Sequence, residues 1–210
     1  MRHVSASVAA QRWCVALVLI VGTVVLNIDL RLPRGSVEFV AVGALLALTW
    51  STPALLFGPS GVPRGDRLVI DLALGGGVGV LMFGVFVVGQ QVAERVSWLA
   101  GPTRHILAKA DAGPTWVIAL VALVNGVAEE LYFRGALVDA LDPRRPRGHI
   151  AALAVYVLVT ALVGNTALTV AAVVMGAVLT AERWFTRALP MPIATHVVWS
   201  ALVIVALPRS

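Results

Sequence analysis

Residues 114–138 read PTWVIALVALVNGVAEELYFRGALV, an apolar run that is interrupted late by two adjacent glutamates and an arginine. A bilayer core needs about 20 apolar residues per helix, so this run is long enough to span a membrane. Ionisable side chains inside a span cost free energy unless they are partnered, and they are functional candidates by default. The stretch therefore predicts both a membrane helix and the position of a site.

The rest of the chain has the same character. Of its 210 residues, 59% are apolar and only 13% are charged, whereas a soluble domain carries about 25% charged residues. This composition excludes a cytosolic enzyme, a secreted disulfide scaffold and a disordered linker. It predicts an all-α, polytopic transmembrane bundle of about seven spans, with six to eight as the open range. The spans that we predict are 13–30, 37–57, 69–91, 114–138, 149–163, 166–185 and 191–208.

Two regions are expected along the chain. Residues 1–113 hold the N-terminal spans and a polar connection, 92–113, that suits an amphipathic helix at the membrane interface. Residues 114–208 hold the predicted catalytic core. A bend at Gly164 and Asn165 marks either a tight hairpin or a break between two short spans.

Basic residues lie mostly in the gaps between apolar runs, which predicts contact with the lipid bilayer and no nucleic-acid partner. The cluster Arg144, Arg145 and Arg147 favours a cytoplasmic N-terminus. We expect a multi-pass protein of a bacterial-type plasma membrane. Gly75 and Gly79, four residues apart, predict close packing between helices rather than a phosphate-binding loop.

The two glutamates have different surroundings on a helix. Glu130 precedes Arg134 by four residues, which is the favoured order for a helical ion pair. Glu129 points about 100° away from Glu130, on a face that it shares with Asn125. A carboxylate that is left available in a site of low dielectric constant suits a general base. The alternative is that both glutamates lie at a helix end in the headgroup region, as a structural pair with Arg134.

His196 is the second candidate. It follows Pro192 by four residues, and Pro192 suits the first turn of the last helix. From the helical rise we place His196 about 6 Å, and Glu129 about 8 Å, from the cytoplasmic edge of the membrane, so the two side chains can meet in a site that opens toward the cytoplasm. The alternative is an ordinary histidine at the membrane interface.

These motifs together carry a family resemblance. The run Glu129-Glu130-Leu131-Tyr132-Phe133-Arg134-Gly135, followed by Pro192-Ile193-x-x-His196, resembles the CPBP family of CAAX-processing and bacteriocin-processing (Abi-type) intramembrane proteases, over about residues 114–208. The resemblance implies that Glu129 activates a water for attack on a peptide bond. It implies that Glu130 and Arg134 hold the helix, and that His196 steadies the oxyanion. The implied partner is a peptide or a membrane-associated protein substrate, with no metal and no other cofactor.

The chain departs from the family pattern at two positions. The family places a histidine four residues after an aromatic residue in its middle motif, but no histidine lies between residues 150 and 195. Thr160, four residues after Tyr156, is the best counterpart by spacing, and Asn165 is the alternative. Ser200 stands where the family has asparagine, and serine can still donate one hydrogen bond. Threonine cannot transfer a proton near neutral pH, so Glu129 would act with less help.

Three functions follow from these observations. The first is an intramembrane endopeptidase of the CAAX-processing or bacteriocin-processing type. The second is a catalytically impaired relative that binds peptides, serves in bacteriocin self-immunity or acts as a membrane scaffold. The third is a small proton-coupled transporter, which intramembrane acids also fit. The missing histidine leaves open whether the protein is an active enzyme.

Overall fold

The computed structural model describes residues 2–58, 61, 65–110 and 113–206. Within this part of the chain every regular element is helical. The elements are α1 (Arg2–Asp29), α2 (Val37–Phe57), α3 (Asp66–Arg95), α4 (Ser97–Ala110), α5 (Thr115–Glu130), a π-helical segment (Leu131–Ala136), α6 (Leu137–Leu141), α7 (Pro146–Ala161), α8 (Thr166–Thr186) and α9 (Pro190–Ala206).

Each predicted span corresponds to a helix, and the all-α class is confirmed. Five helical stretches of the described residues are long and apolar enough to cross a membrane, namely Val8–Asp29, Val37–Phe57, Asp66–Arg95, Thr115–Leu141 and Thr166–Thr186. The helices α7 and α9 are apolar but shorter. A count of about seven spans therefore stays a prediction.

Large apolar side chains cover the outside of the bundle. Trp13 in α1 is 76% exposed and Leu81 in α3 is 67% exposed. A soluble protein rarely exposes many such side chains in continuous patches. On a membrane protein this surface faces lipid, and no hydrophobic driving force holds the helices together there, so close packing and polar contacts must do so.

Local signals explain where several helices begin. Ser36 caps α2, because its hydroxyl accepts a hydrogen bond from Phe39 N at 3.1 Å. Pro146 begins α7, a position where its missing N–H costs nothing. Gly164 has a φ of 81°, which favours glycine, and forms a turn with Asn165, the cap of α8. The bend predicted at these two residues is therefore a hairpin turn between α7 and α8.

The polar connection contains α4, although its position at the membrane interface stays a prediction. The division into regions 1–113 and 114–208 also stays a prediction, and residues 1, 59, 60, 62–64, 111, 112, 207 and 208 of those regions lie outside the described part. The helices of the two regions pack together: α3 contacts α9, and α2 contacts α5.

The core beneath the glutamates is aromatic. The ring of Trp50, which is fully buried, lies 4.7 Å from Tyr132 and 5.0 Å from Phe133 between centroids. Phe133 in turn contacts Tyr156 at 5.0 Å. The Tyr132 hydroxyl donates a hydrogen bond of 2.6 Å to the backbone oxygen of Val15. These contacts join α1, α2 and α7 to the π-helical segment and fix its position.

Gly75 and Gly79 of α3 lie directly against α9. A Cβ atom added at Gly75 would lie 2.3 Å from Met191 O, and one added at Gly79 would lie 2.8 Å from Thr195 O. Real Cβ atoms do not approach other atoms so closely. The close helix packing predicted for these glycines is confirmed, and it brings α3 to the helix that carries His196.

This packing yields a first prediction. Gly75→Ala should lower the free energy of unfolding by about 1–3 kcal/mol relative to Gly76→Ala, because only the first adds a Cβ where no space exists. Gly76 has open space around an added Cβ, and both variants gain the same helix propensity. Unfolding of both variants in detergent micelles measures the difference. Equal stability of the two would contradict the close contact between α3 and α9.

Candidate active site

The glutamate pair lies where α5 passes into the π-helical segment. Glu130 is the last residue of α5, and Leu131–Ala136 forms the π-helical turn that carries Arg134. Such turns are rare and occur frequently at functional sites. The apolar pattern of the sequence does not predict this turn.

Glu130 and Arg134 form the ion pair that the spacing predicts. The Nη1 atom of Arg134 lies 3.1 Å from Oε1 of Glu130, and neither residue is more than 2% exposed. Arg134 also donates through Nη2 to Gly176 O at 3.3 Å, and its guanidinium lies 4.4 Å from the ring centroid of Tyr156. The pair is thus enclosed by protein on every side, which does not fit a surface pair among lipid headgroups.

His196 contacts Glu130 rather than Glu129. Its Nδ1 atom lies 2.9 Å from the same Oε1 atom that pairs with Arg134. The similar depth predicted for His196 and Glu129 allows these two side chains to meet, but it does not select Glu129 over Glu130. Depth cannot tell two neighbouring glutamates apart, whereas the side on which α9 packs against α5 can. His196 is 7% exposed, and it lies nearly two turns into α9, since that helix begins at Pro190.

Glu129 is half-buried and lines a cavity of about 190 Å³. Thr160, the predicted counterpart of the missing histidine, lines the same cavity, as does Tyr156. The Thr160 hydroxyl donates to Tyr156 O at 3.0 Å, so its lone pairs stay available to accept. His196 acts electrostatically on Glu129. The structure therefore brings Glu129, Thr160 and His196 into one neighbourhood.

The other two predicted positions lie elsewhere. Asn165 caps α8 by accepting from Leu168 N at 3.0 Å, and it donates to Pro102 O at 3.2 Å. Its amide is used for structure, and it does not line the cavity beside Glu129. Ser200 is buried one turn after His196 on α9. Of the two candidates for the middle motif, Thr160 is the one that the geometry supports.

The cavity extends toward the end of the bundle where α1 ends and α7 turns into α8, because Leu26, Leu30 and Leu168 form part of its wall. A single span such as α1 has its two ends on opposite sides of the membrane, so this end lies opposite the N-terminus. This cavity tests neither the predicted cytoplasmic N-terminus nor the predicted opening of the site toward the cytoplasm. The orientation in the membrane stays a prediction.

A second cavity, of about 240 Å³, adjoins the first. The two share Leu168, Ala171 and Trp199 in their walls. Apolar residues of α3, α4, α8 and α9 form nearly all of the second wall. An apolar cavity therefore lies next to the space beside Glu129.

Sequence reasoning missed one acidic residue near the site. Glu182 of α8 is 6% exposed, and its Oε1 atom lies 2.7 Å from the hydroxyl of Thr195. It lies near the end of the predicted span 166–185, where an acidic side chain is ordinarily solvated. One sequence signal for this contact is that Thr195 directly precedes the candidate residue His196. No spacing in the sequence, however, relates Thr195 to Glu182.

No group of three or more histidine, cysteine, aspartate or glutamate residues in the described part of the chain could hold a metal ion. The expectation of a site without metal or other cofactor stays a prediction, since it came from the resemblance.

Comparison with known proteins agrees with the resemblance. The family described as type II CAAX prenyl endopeptidase, Rce1-like, matches residues 111–202, somewhat less than half of the chain. No curated protein and no solved structure matches the chain. The matched segment contains the glutamate pair, Thr160 and His196, so the predicted resemblance to CAAX-type proteases is confirmed. Together with the apolar helices, the match indicates a multi-pass integral membrane protein.

Proposed function

We propose that this protein is an intramembrane endopeptidase in which Glu129 activates the attacking water. One observation carries the proposal: Glu130 is held by Arg134 and His196, while its neighbour Glu129 lines a cavity together with Thr160. One carboxylate is thus committed to structure and the other is available for chemistry. The family match suggests a CAAX-type endopeptidase and does not favour the scaffold or transporter.

In this reaction Glu129 takes a proton from a water in the cavity. The oxygen of that water forms a bond to the carbonyl carbon of the peptide, and the carbonyl oxygen becomes an oxyanion. The C–N bond then breaks, and Glu129 returns the proton to the leaving nitrogen. The products are a new carboxyl terminus and a new amine. General base catalysis by a positioned carboxylate contributes about 10²- to 10⁴-fold to such a step.

His196 is suited to stabilise the oxyanion. With Glu130 ionised beside Arg134, the contact of 2.9 Å requires Nδ1 of His196 to carry the donated hydrogen. The opposite ring nitrogen, Nε2, donates to an oxyanion only if the ring is an imidazolium. The imidazolium form balances the charges of the site. The carboxylates of Glu129 and Glu130 then face two cations, Arg134 and His196. Donors aimed at developing charge in a dry site supply much of the catalysis in such reactions.

Thr160 acts as an orienting group. Its hydroxyl proton is engaged by Tyr156 O, so it can accept a hydrogen bond from the attacking water. It cannot take up the proton, as a histidine at this position could. We therefore expect slow turnover. The threonine at position 160 is also the observation that favours the second candidate function, a catalytically impaired relative that only binds peptides.

The substrate in this proposal is a peptide whose apolar part reaches the second cavity. Three residues line both cavities, which supports a substrate with an apolar segment close to the bond that Glu129 attacks. A transporter would need a water-filled path and paired half-helices. The contacts described here do not depend on either feature.

The central test is Glu129→Gln, assayed in purified detergent-solubilised protein with a fluorogenic peptide library. The glutamine cannot accept the proton from water, so kcat/KM should fall by about a thousandfold. Glu38→Gln is the matched control, since Glu38 is exposed at the start of α2, and it should cleave like the wild type. The endopeptidase proposal fails if the wild type cleaves no peptide or if Glu129→Gln cleaves equally well.

A second test restores the missing histidine. Thr160→His should raise kcat/KM by about tenfold or more, because a residue that can share the proton would then face Glu129. The control is Thr169→His: Thr169 is also half-buried and donates to a carbonyl four residues earlier, but it does not line the cavity. A gain in both variants, or in neither, would contradict the role assigned to position 160.

A further inference from the structure

A chain of hydrogen bonds connects three helices directly behind the site. The carboxyl oxygen Oε1 of Glu182 in α8 lies 2.7 Å from the hydroxyl oxygen of Thr195 in α9. The same hydroxyl oxygen lies 3.0 Å from Gly75 O in α3. Thr195 is completely buried, and it is the residue next to His196.

Counting hydrogens decides the direction of these bonds. A threonine hydroxyl has one hydrogen to donate, and a backbone carbonyl such as Gly75 O can only accept. If Thr195 donates to Gly75 O, its bond with Glu182 needs a hydrogen from the carboxyl group. Both bonds exist together only when Glu182 is a protonated carboxylic acid.

The other arrangement leaves polar atoms unsatisfied. If Glu182 were ionised, Thr195 would donate to it, and the contact with Gly75 O would hold no hydrogen. The second carboxyl oxygen, Oε2, is buried and has no hydrogen-bond partner among the residues that the structure describes. An isolated charge is far more costly to bury than a neutral acid.

The arginines near Glu182 are engaged with other partners. Glu130 and Arg134 act on it electrostatically, with opposite signs. Arg134 is already paired with Glu130 at 3.1 Å. The adjacent Arg183 lies 3.7 Å from Asp139 and donates to Arg134 O at 2.9 Å.

We infer that Glu182 is a positioning residue, held as a neutral carboxylic acid, that fixes α9 against α3 through Thr195 and so aims His196 at Glu130. The contact is possible because Gly75 has no side chain: a Cβ there would collide with α9. The role of Glu182 in catalysis rests on the proposed endopeptidase function, whereas its protonation does not.

Paired variants test the positioning role. Glu182→Gln keeps a neutral donor of the same shape, so kcat should stay within about threefold of the wild type. Glu182→Ala removes the donor and should lower kcat about 10- to 100-fold with little change in KM, since a small misplacement of a catalytic group costs that much. Thr195→Ser and Thr195→Val form the matching pair, the first near wild type and the second impaired. The inference would be overturned if Glu182→Gln lowered kcat as much as Glu182→Ala, or if Glu182→Ala left kcat unchanged.

A readout without catalysis separates this inference from the proposed function. The infrared spectrum of the wild type should contain a carbonyl stretching band of a protonated carboxylic acid that is absent in Glu182→Gln and kept in Glu38→Gln. Absence of that band from the wild type would show that Glu182 is ionised and would overturn the inference. If the band is present but the wild type cleaves no peptide, the endopeptidase proposal fails while Glu182 keeps the assigned protonation.

Discussion

The structure depends on one fully buried oxygen, Oε1 of Glu130, which pairs with both Arg134 and His196. A carboxylate in such a place costs several kcal/mol unless opposite charge compensates it. Two side chains compensate this charge: Arg134, one turn along the same helical stretch, and His196 from α9. The need to satisfy Glu130 therefore determines where α9 lies, and it leaves Glu129 as the carboxylate that faces a cavity.

The remaining contacts maintain this arrangement from outside. Arg134 is held by Gly176 O and by the face of Tyr156, which ties the pair to α8 and α7. Gly75 lets α3 approach α9 closely, and Thr195 connects that contact to Glu182. The matched family segment, residues 111–202, does not include α3. The N-terminal helices thus serve the site by position, although they supply none of the proposed catalytic groups.

Sequence reasoning predicted what is local and missed what is tertiary. Composition and apolar runs predicted the helices, and the four-residue spacing predicted the Glu130–Arg134 pair, because both depend on residues close in the chain. The spacing after Tyr156 selected Thr160, which does line the cavity beside Glu129. Sequence reasoning could not say which glutamate His196 would contact, since two adjacent glutamates are equivalent until α9 packs against one side of α5. The π-helical turn and the Glu182–Thr195 contact leave no periodic signal, so neither could be predicted.

The central claim is that Glu130 is structural and Glu129 chemical, and double-mutant cycles on the free energy of unfolding test it most directly. Each glutamate is changed to glutamine, singly and together with His196→Gln, and unfolding is measured in detergent micelles. The account predicts a coupling of about 1–3 kcal/mol between Glu130 and His196, which are in contact, and a smaller coupling between Glu129 and His196, which interact electrostatically without a hydrogen bond in the described part of the chain. A larger coupling for Glu129 than for Glu130 would contradict it.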